Sequence, residues 1–261
     1  MSGKQGRGGS TEAAGSRENQ DLAGLRVTMS NALTRAGHGL SLAEKRIVMA
    51  AVAQLDSRAP YRPGEIVRTR VTAAQYAETY GVEPHTAYEA LAEAAERLYR
   101  RSITFYEPVH TRGRKTAGAT VVHMRWVGEA RYQQGEGWIE LAWWPPVLQH
   151  LIGLRRQFTT YQLQQASALR SIYSWRLLEL LTKYESTGFA EYDITDLAIS
   201  MDAPPSIRKD FGQMRRRILE PSIKELVEKD GWQITMSAVR QGRRVTAVRL
   251  LFRRDPQGRL F

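Results

Sequence analysis

Arginine dominates the groups in this chain that could do chemistry: it supplies 31 of the 38 basic residues. A guanidinium is planar, always charged, and matches a phosphate or the edge of guanine with two parallel donors. The surplus charge is concentrated. From Ser200 to Phe261, 14 Lys and Arg face 7 Asp and Glu, a net of +7 over 62 residues, against +4 over the other 199. Within that segment the bases form two groups. Arg208, Lys209, Arg215, Arg216 and Arg217, with Gln213, lie on a helix-like run, and Arg240, Arg243 and Arg244 lie at the tip of a hairpin-like run. Three adjacent arginines repel one another unless an anion sits there, which argues against an ordinary solvated face. A GC-rich genome is a competing source of the arginine bias.

No catalytic constellation accompanies these bases. His38, His85, His110, His123 and His150 show no metal-ligand spacing, cysteine is absent, and no Gly-rich phosphate loop ends in Lys-Ser/Thr. Asp193 and Asp196, or Asp202 and Asp210, do not make a convincing carboxylate pair for metal-dependent chemistry. No enzyme activity, cofactor or metal is therefore expected. No apolar run approaches the ~20 residues of a membrane helix, and the first 20 residues have no apolar centre. A cytoplasmic protein with a polyanionic partner and no membrane association is expected.

The elements that must carry the bases follow from periodicity. Ser41 and Glu44 form a capping box before a helical stripe through Leu55. Residues 65–71 alternate as a strand. Thr72 caps a helix ending at Gly81, and Pro84 opens a second one, the spacing of a helix-turn-helix. Strands are expected over residues 101–107, 120–127 and 138–143, with Arg112, Arg114 and Lys115 in a basic turn between the first two. The order then repeats: a helix over 163–184, a short strand near 192–195, a helix from Thr195, a turn at Ala203-Pro204-Pro205, a long helix over 207–229 capped by Ser206, and paired strands over 232–239 and 246–252.

This reads as an α+β chain of two pseudo-repeated winged helices, each a helix-turn-helix plus a β-hairpin. The expected division is a disordered tail over 1–24, a first winged helix over 25–145, a linker over 146–161 and a second winged helix over 162–255. In the second unit, Arg208, Lys209 and Gln213 at the start of the long helix are the expected base readers, with Arg215, Arg216 and Arg217 on phosphate and Arg240, Arg243 and Arg244 as a wing. The first reader helix carries Glu83, Glu89, Glu93 and Glu96. Only His85, Thr86 and Tyr88 at its start suit a nucleic acid, so this unit is expected to bind backbone, helped by Arg112, Arg114 and Lys115.

Four fragments in order resemble the theta-type plasmid replication initiators that bind iterons. They are Met29-Ser30-Asn31-Ala32-Leu33 with Leu40-Ser41-Leu42-x-Glu44-x-Arg46-Ile47; Leu169-x-Ser171-x-Tyr173-Ser174-x-Arg176-Leu177-x-Glu179-Leu180-Leu181; Phe211-x-x-Met214-Arg215-Arg216-Arg217-Ile218-Leu219-x-Pro221-x-Ile223-x-Glu225-Leu226; and Gly242-Arg243-Arg244-Val245 with Val248-x-Leu250-x-Phe252. The likeness spans about Leu25 to Phe252. It implies monomers on directly repeated iterons, opening of adjacent AT-rich duplex, recruitment of the host replication initiator and helicase, and homodimers made through the first domain that repress their own gene at an operator. Arg208, Lys209, Arg215 and Arg217 carry over as second-domain contacts. The Pro204-Pro205 turn departs from the looser turn of many members. Two other readings stand beside this one. A dedicated dimeric winged-helix repressor would lack initiation activity. A rolling-circle nicking enzyme would need the histidine pair this chain lacks.

Overall fold

The computed structural model describes residues 21–60, 62–111, 114–133 and 135–254. Most of the expected disordered tail, residues 1–20, lies outside them. Leu22 is already buried and Gln164 donates its backbone N–H to Ala23 O at 2.9 Å, so packing begins before the expected start at Leu25.

The chain runs β1 (Arg26–Ser30), α1 (Asn31–Arg35), α2 (Leu42–Ala53), β2 (Arg68–Thr72), α3 (Ala73–Tyr80), α4 (Pro84–Leu98), β3 (Ser102–Thr111), β4 (Arg114–Arg125), β5 (Val127–Tyr132), β6 (Trp138–Trp143), α5 (Pro145–Leu148) and β7 (Phe158–Gln162). It continues with α6 (Leu163–Ser167), α7 (Ile172–Thr182), β8 (Phe189–Asp193), α8 (Ile194–Ser200), α9 (Pro205–Arg208), α10 (Phe211–Met214), a π turn (Arg215–Leu219), α11 (Glu220–Asp230), β9 (Trp232–Gln241) and β10 (Arg244–Arg254).

Two winged helices emerge. In the first, α2, α3 and α4 pack against a three-stranded sheet of order β2-β6-β5; in the second, α7, α8 and the helix from Phe211 to Asp230 face a sheet of order β8-β10-β9. Local signals set the shared helix-turn-helix. Ser41 with Glu44, and Thr72 with Gln75, form reciprocal capping boxes, each stabilising by about 1 kcal/mol. Gly81, at φ +58, ends α3 where a side chain would be strained.

The first unit departs from expectation in its strands. The β3–β4 pair forms a separate two-stranded sheet inserted between α4 and the wing, and the wing itself is β5–β6. The short polar run after Gly128 hid β5. The segment expected as a linker, 146–161, is built into the scaffold. Val147, Leu148 and Leu151 are buried, and β7 pairs antiparallel with β1 from Arg26↔Gln162 to Ser30↔Phe158. The helix expected over 163–184 breaks at residues 168–171. Two long-range groups hold the break open: Arg46 Nη2 donates to Leu169 O at 3.0 Å and Glu225 accepts from Arg170 N at 2.6 Å. Ser171 then caps α7.

A buried ionic network joins the two units. Arg176, on α7, is fully buried. Its Nε donates to Ser200 O at 2.8 Å and its Nη2 to Thr34 O and Ala36 O at 2.9 and 2.7 Å. Its Nη1 meets Glu179 at 2.7 Å, and Glu179 also takes Lys45 of α2 at 2.7 Å and the Tyr161 hydroxyl at 2.9 Å. Burial pulls the Lys45 ammonium down to about 8 despite Glu179. The His38 ring is pressed between Lys45 and Arg176; burial first, then these two charges, hold it well below its ordinary value, so it is neutral. Such a network stabilises only while complete. Glu179→Ala leaves Lys45 and Arg176 buried without their shared carboxylate and is expected to lower unfolding free energy by roughly 3–5 kcal/mol in urea titration. A loss under about 1 kcal/mol, the scale of an exposed pair, would contradict this account.

Candidate nucleic-acid interface

The second reader helix starts four residues later than expected, at Phe211. Asp210, not Ser206, is its N-cap: the carboxylate accepts from Gln213 N at 3.0 Å. Pro205 instead opens the separate four-residue α9, whose C-cap is Lys209. Arg208 and Lys209 therefore precede the reader helix instead of leading it. Arg208 Nε is also tied to Ala203 O at 2.6 Å, bracing the turn. Lys209 is exposed beside the helix start, and Gln213, in the first turn, is half-buried.

Past Met214 the helix widens into the π turn, where the Glu220 N–H reaches back to Arg215 O. Pro221 is the cause: it has no N–H for the carbonyl four residues back, and its ring disfavours a tight turn there. Ser222 Oγ satisfies Ile218 O at 2.7 Å. The wide turn keeps Met214, Ile218 and Leu219 buried while Arg215, Arg216 and Arg217 all remain exposed. These three are not equivalent. Arg215 Nε is 2.7 Å from Glu220, whereas Arg216 and Arg217 have no carboxylate within ion-pair distance among the described residues.

The wing of the second unit is the β9–β10 hairpin, turned through Gly242 at φ +60. Arg240, Arg243 and Arg244 are exposed at its tip, with no ion pair among the described residues. Farther down the sheet, Arg249 pairs with Glu191 and Arg254 with Asp230. The reader helix and the hairpin tip thus each group exposed arginines without a carboxylate partner, Arg216 and Arg217 on one and Arg240, Arg243 and Arg244 on the other.

The first unit is built differently. His85 and Thr86 are exposed in the first turn of α4, and His85 lies 3.8 Å from Glu89. Tyr88 lies over the wing: a Cβ added at Gly137 would sit 2.5 Å from its ring. The ring therefore links reader helix to wing turn, a packing role the sequence reading missed. Arginines on this sheet are balanced by acids, with Arg68 2.9 Å from Glu129 and Arg131 also paired to Glu129. Arg112 lies outside the described residues. Arg114 and Lys115 pair through their backbones with Thr111 and His110 on the inserted β3–β4 hairpin. The basic turn expected on the first wing therefore belongs to a different sheet, because β3–β4 is an insertion and the wing comes after it. Asp193 caps α8 and Asp196 pairs with Arg35 at 2.9 Å. Among the described residues no group of three or more His, Cys, Asp or Glu could hold a metal ion. No helix is long and apolar enough to cross a membrane, again among the described residues.

Tandem winged helices, one carrying unpaired arginines on both its reader helix and its wing, define a binder of double-stranded DNA. Residues 26–182 match the family described as Initiator Replication protein, WH1, and residues 193–252 the one described as Initiator Rep protein, WH2. The chain belongs to this family of replication initiators. The WH1 match runs through α7, the helix whose Arg176 and Glu179 join the two units. A relative from Escherichia coli, an uncharacterized 27.6 kDa protein, is 27% identical over 214 residues, 78% of this chain and 86% of its own. The fold is shared with the Pi initiator protein crystallised in complex with iteron DNA, at a TM-score of 0.71 and 21% identity, over 90% of this chain and 99% of that one.

The pairing pattern separates the three adjacent arginines. Arg216→Ala and Arg217→Ala should each reduce the slope of log affinity against log salt by about 1, as expected for one lost phosphate contact, while Arg215→Ala changes it less. Fluorescence anisotropy between 50 and 200 mM salt reads this, with about the same slope change at all three positions as the contrary result.

Proposed function

We propose that the protein initiates replication of a plasmid by binding directly repeated iterons at the origin. The second unit reads base edges through the first turns of the Phe211–Asp230 helix, with Gln213 and Lys209 closest to its start. Arg216 and Arg217 hold phosphate, and Arg240, Arg243 and Arg244 clamp the flanking groove. The first unit contacts backbone through His85 and Thr86, with Arg114 and Lys115 of its inserted hairpin, and Arg112 nearby in sequence, as further phosphate contacts. Arg208 acts through the turn it braces, and Tyr88 through the wing it holds.

The observation that carries the reading is the grouping of exposed arginines without ion pairs on the reader helix (Arg216, Arg217) and at the wing tip (Arg240, Arg243, Arg244) of the second unit, within a fold shared with an initiator crystallised on iteron DNA. Binding at the origin would open adjacent AT-rich duplex and recruit the host replication initiator and helicase in the bacterial cytoplasm. A homodimer formed through the first unit would repress the protein's own gene at an operator. The outer edge of β4 supports that assignment: β4 pairs only with β3 among the described strands, and an open edge is a template for pairing.

Footprinting across the DNA upstream of the gene tests the reading. Tandem protected sites repeating at about one or two helical turns are expected, and a plasmid carrying them should replicate only when the protein is supplied. A single protected palindrome with no replication would instead identify a dedicated repressor.

A further inference from the structure

Asp202 occupies a backbone position that normally belongs to glycine. It directly follows Met201, the C-cap of α8, and has φ +51. Helices commonly end there in the left-handed region, and glycine is preferred because it has no Cβ to strain. Asp202 stands in the turn of the second helix-turn-helix, between α8 and α9. Glycine would suit that turn better, so the carboxylate has to account for the strained residue.

The hydrogen bonds of that carboxylate do not serve its own unit. They reach across to the first, where Oδ2 accepts from His38 N at 3.0 Å and Oδ1 from Gly39 N at 3.4 Å. Oδ2 is also 3.7 Å from Arg176 Nε. The receiving loop is itself rigid. Gly37 exchanges backbone bonds with Thr104 of β3 at 2.9 and 2.8 Å. The His38 carbonyl accepts from Trp126 Nε1 at 3.0 Å, and a Cβ at Gly39 would lie 2.8 Å from Ser102 O. A Cβ at Gly37 would meet Asp202 Oδ1 at 3.1 Å, so the loop and the carboxylate are in close contact. On the other side, the next residue, Ala203, holds Arg208 through its carbonyl, directly before the reader helix.

We infer that Asp202 is a positioning residue that pins the reading turn of the second unit to the first, and so sets the spacing of DNA contacts that the protein accepts. The first unit's loop, the Asp202 carboxylate, the turn and the reader helix form one stiff path. A ligand that engages both units is then bound with a fixed offset, because neither unit can move to meet a displaced contact. The inference rests on the proposed contact of both units with DNA.

Asp202→Gly tests it without unfolding the turn, since glycine accepts the left-handed backbone more readily than aspartate. Asp202→Asn, which tolerates that backbone and keeps one acceptor oxygen, is expected to be intermediate. The chain has no cysteine, so nitroxide labels at Glu96→Cys and Lys229→Cys report the distance between the units in the full chain without DNA. The parent should give one narrow distance distribution and D202G one at least about twofold broader, with its helical circular dichroism retained. On a single site with two base pairs inserted between the contacts of the two units, the parent should lose roughly tenfold in affinity and D202G under about threefold. A D202G distribution as narrow as the parent's overturns the inference, as does an insertion penalty equal to the parent's. A broadened D202G distribution beside a parent indifferent to the insertion upholds the pin and contradicts DNA contact by both units.

Discussion

The molecule depends on one buried carboxylate. Glu179 is shared by Arg176, Lys45 and the Tyr161 hydroxyl, and without it Lys45 would stand in the core with no carboxylate in contact and Arg176 with only Asp202, 3.7 Å away. Around it Arg176 collects carbonyls from the end of α1, from the residue after it and from the end of α8. These are the carbonyls a helix terminus leaves without partners. One guanidinium therefore closes the ends of two helices in different winged helices. Hydrophobic contact would hold the units together at many angles, because apolar attraction has no direction. The network narrows the range of angles, since each of its bonds has its own geometry, and the Asp202 carboxylate on the His38–Gly39 loop narrows it further.

That scaffold gives the DNA-facing parts different tasks. The second unit groups arginines without ion pairs on its reader helix and at its hairpin tip, and pairs Arg249 and Arg254 farther down its sheet. The first unit balances its sheet arginines with Glu129 and Glu140 and carries an acidic reader helix. Electrostatic attraction then comes mainly from the second unit, and the first adds orientation. The Pro221 π turn has a comparable effect within the reader helix. It keeps three successive arginines outside while the apolar face stays continuous, with one of the three engaged by Glu220.

Much of this was legible in the sequence, for identifiable reasons. Capping boxes at Ser41 and Thr72, the left-handed stop at Gly81 and the hairpin at Gly242 are local signals, and local signals survive folding. The repeat of two winged helices followed from the order of such signals. What could not be read depended on distant partners. The break before Ser171 needs Arg46 and Glu225 to hold it open. The start of the reader helix turned on competition between Ser206 and Asp210, and Asp210 is the one whose side chain caps it. The inserted hairpin was mistaken for a wing because a basic turn between strands looks the same in either sheet. Arg176 and Glu179, three apart in an apolar run, were part of the most specific fragment of the resemblance. Charges inside such a run signal a buried partner, but the sequence does not name Lys45, His38 or Asp202 as that partner.

The central claim is that two unequal units act on DNA as one rigid body. Hydroxyl-radical footprinting of the protein on a duplex carrying one repeat tests it most directly. The account predicts two protected segments, separated by about one helical turn, with the deeper protection where the second unit lies. One protected segment, unchanged when the first unit's His85 and Thr86 are replaced by alanine, would contradict it.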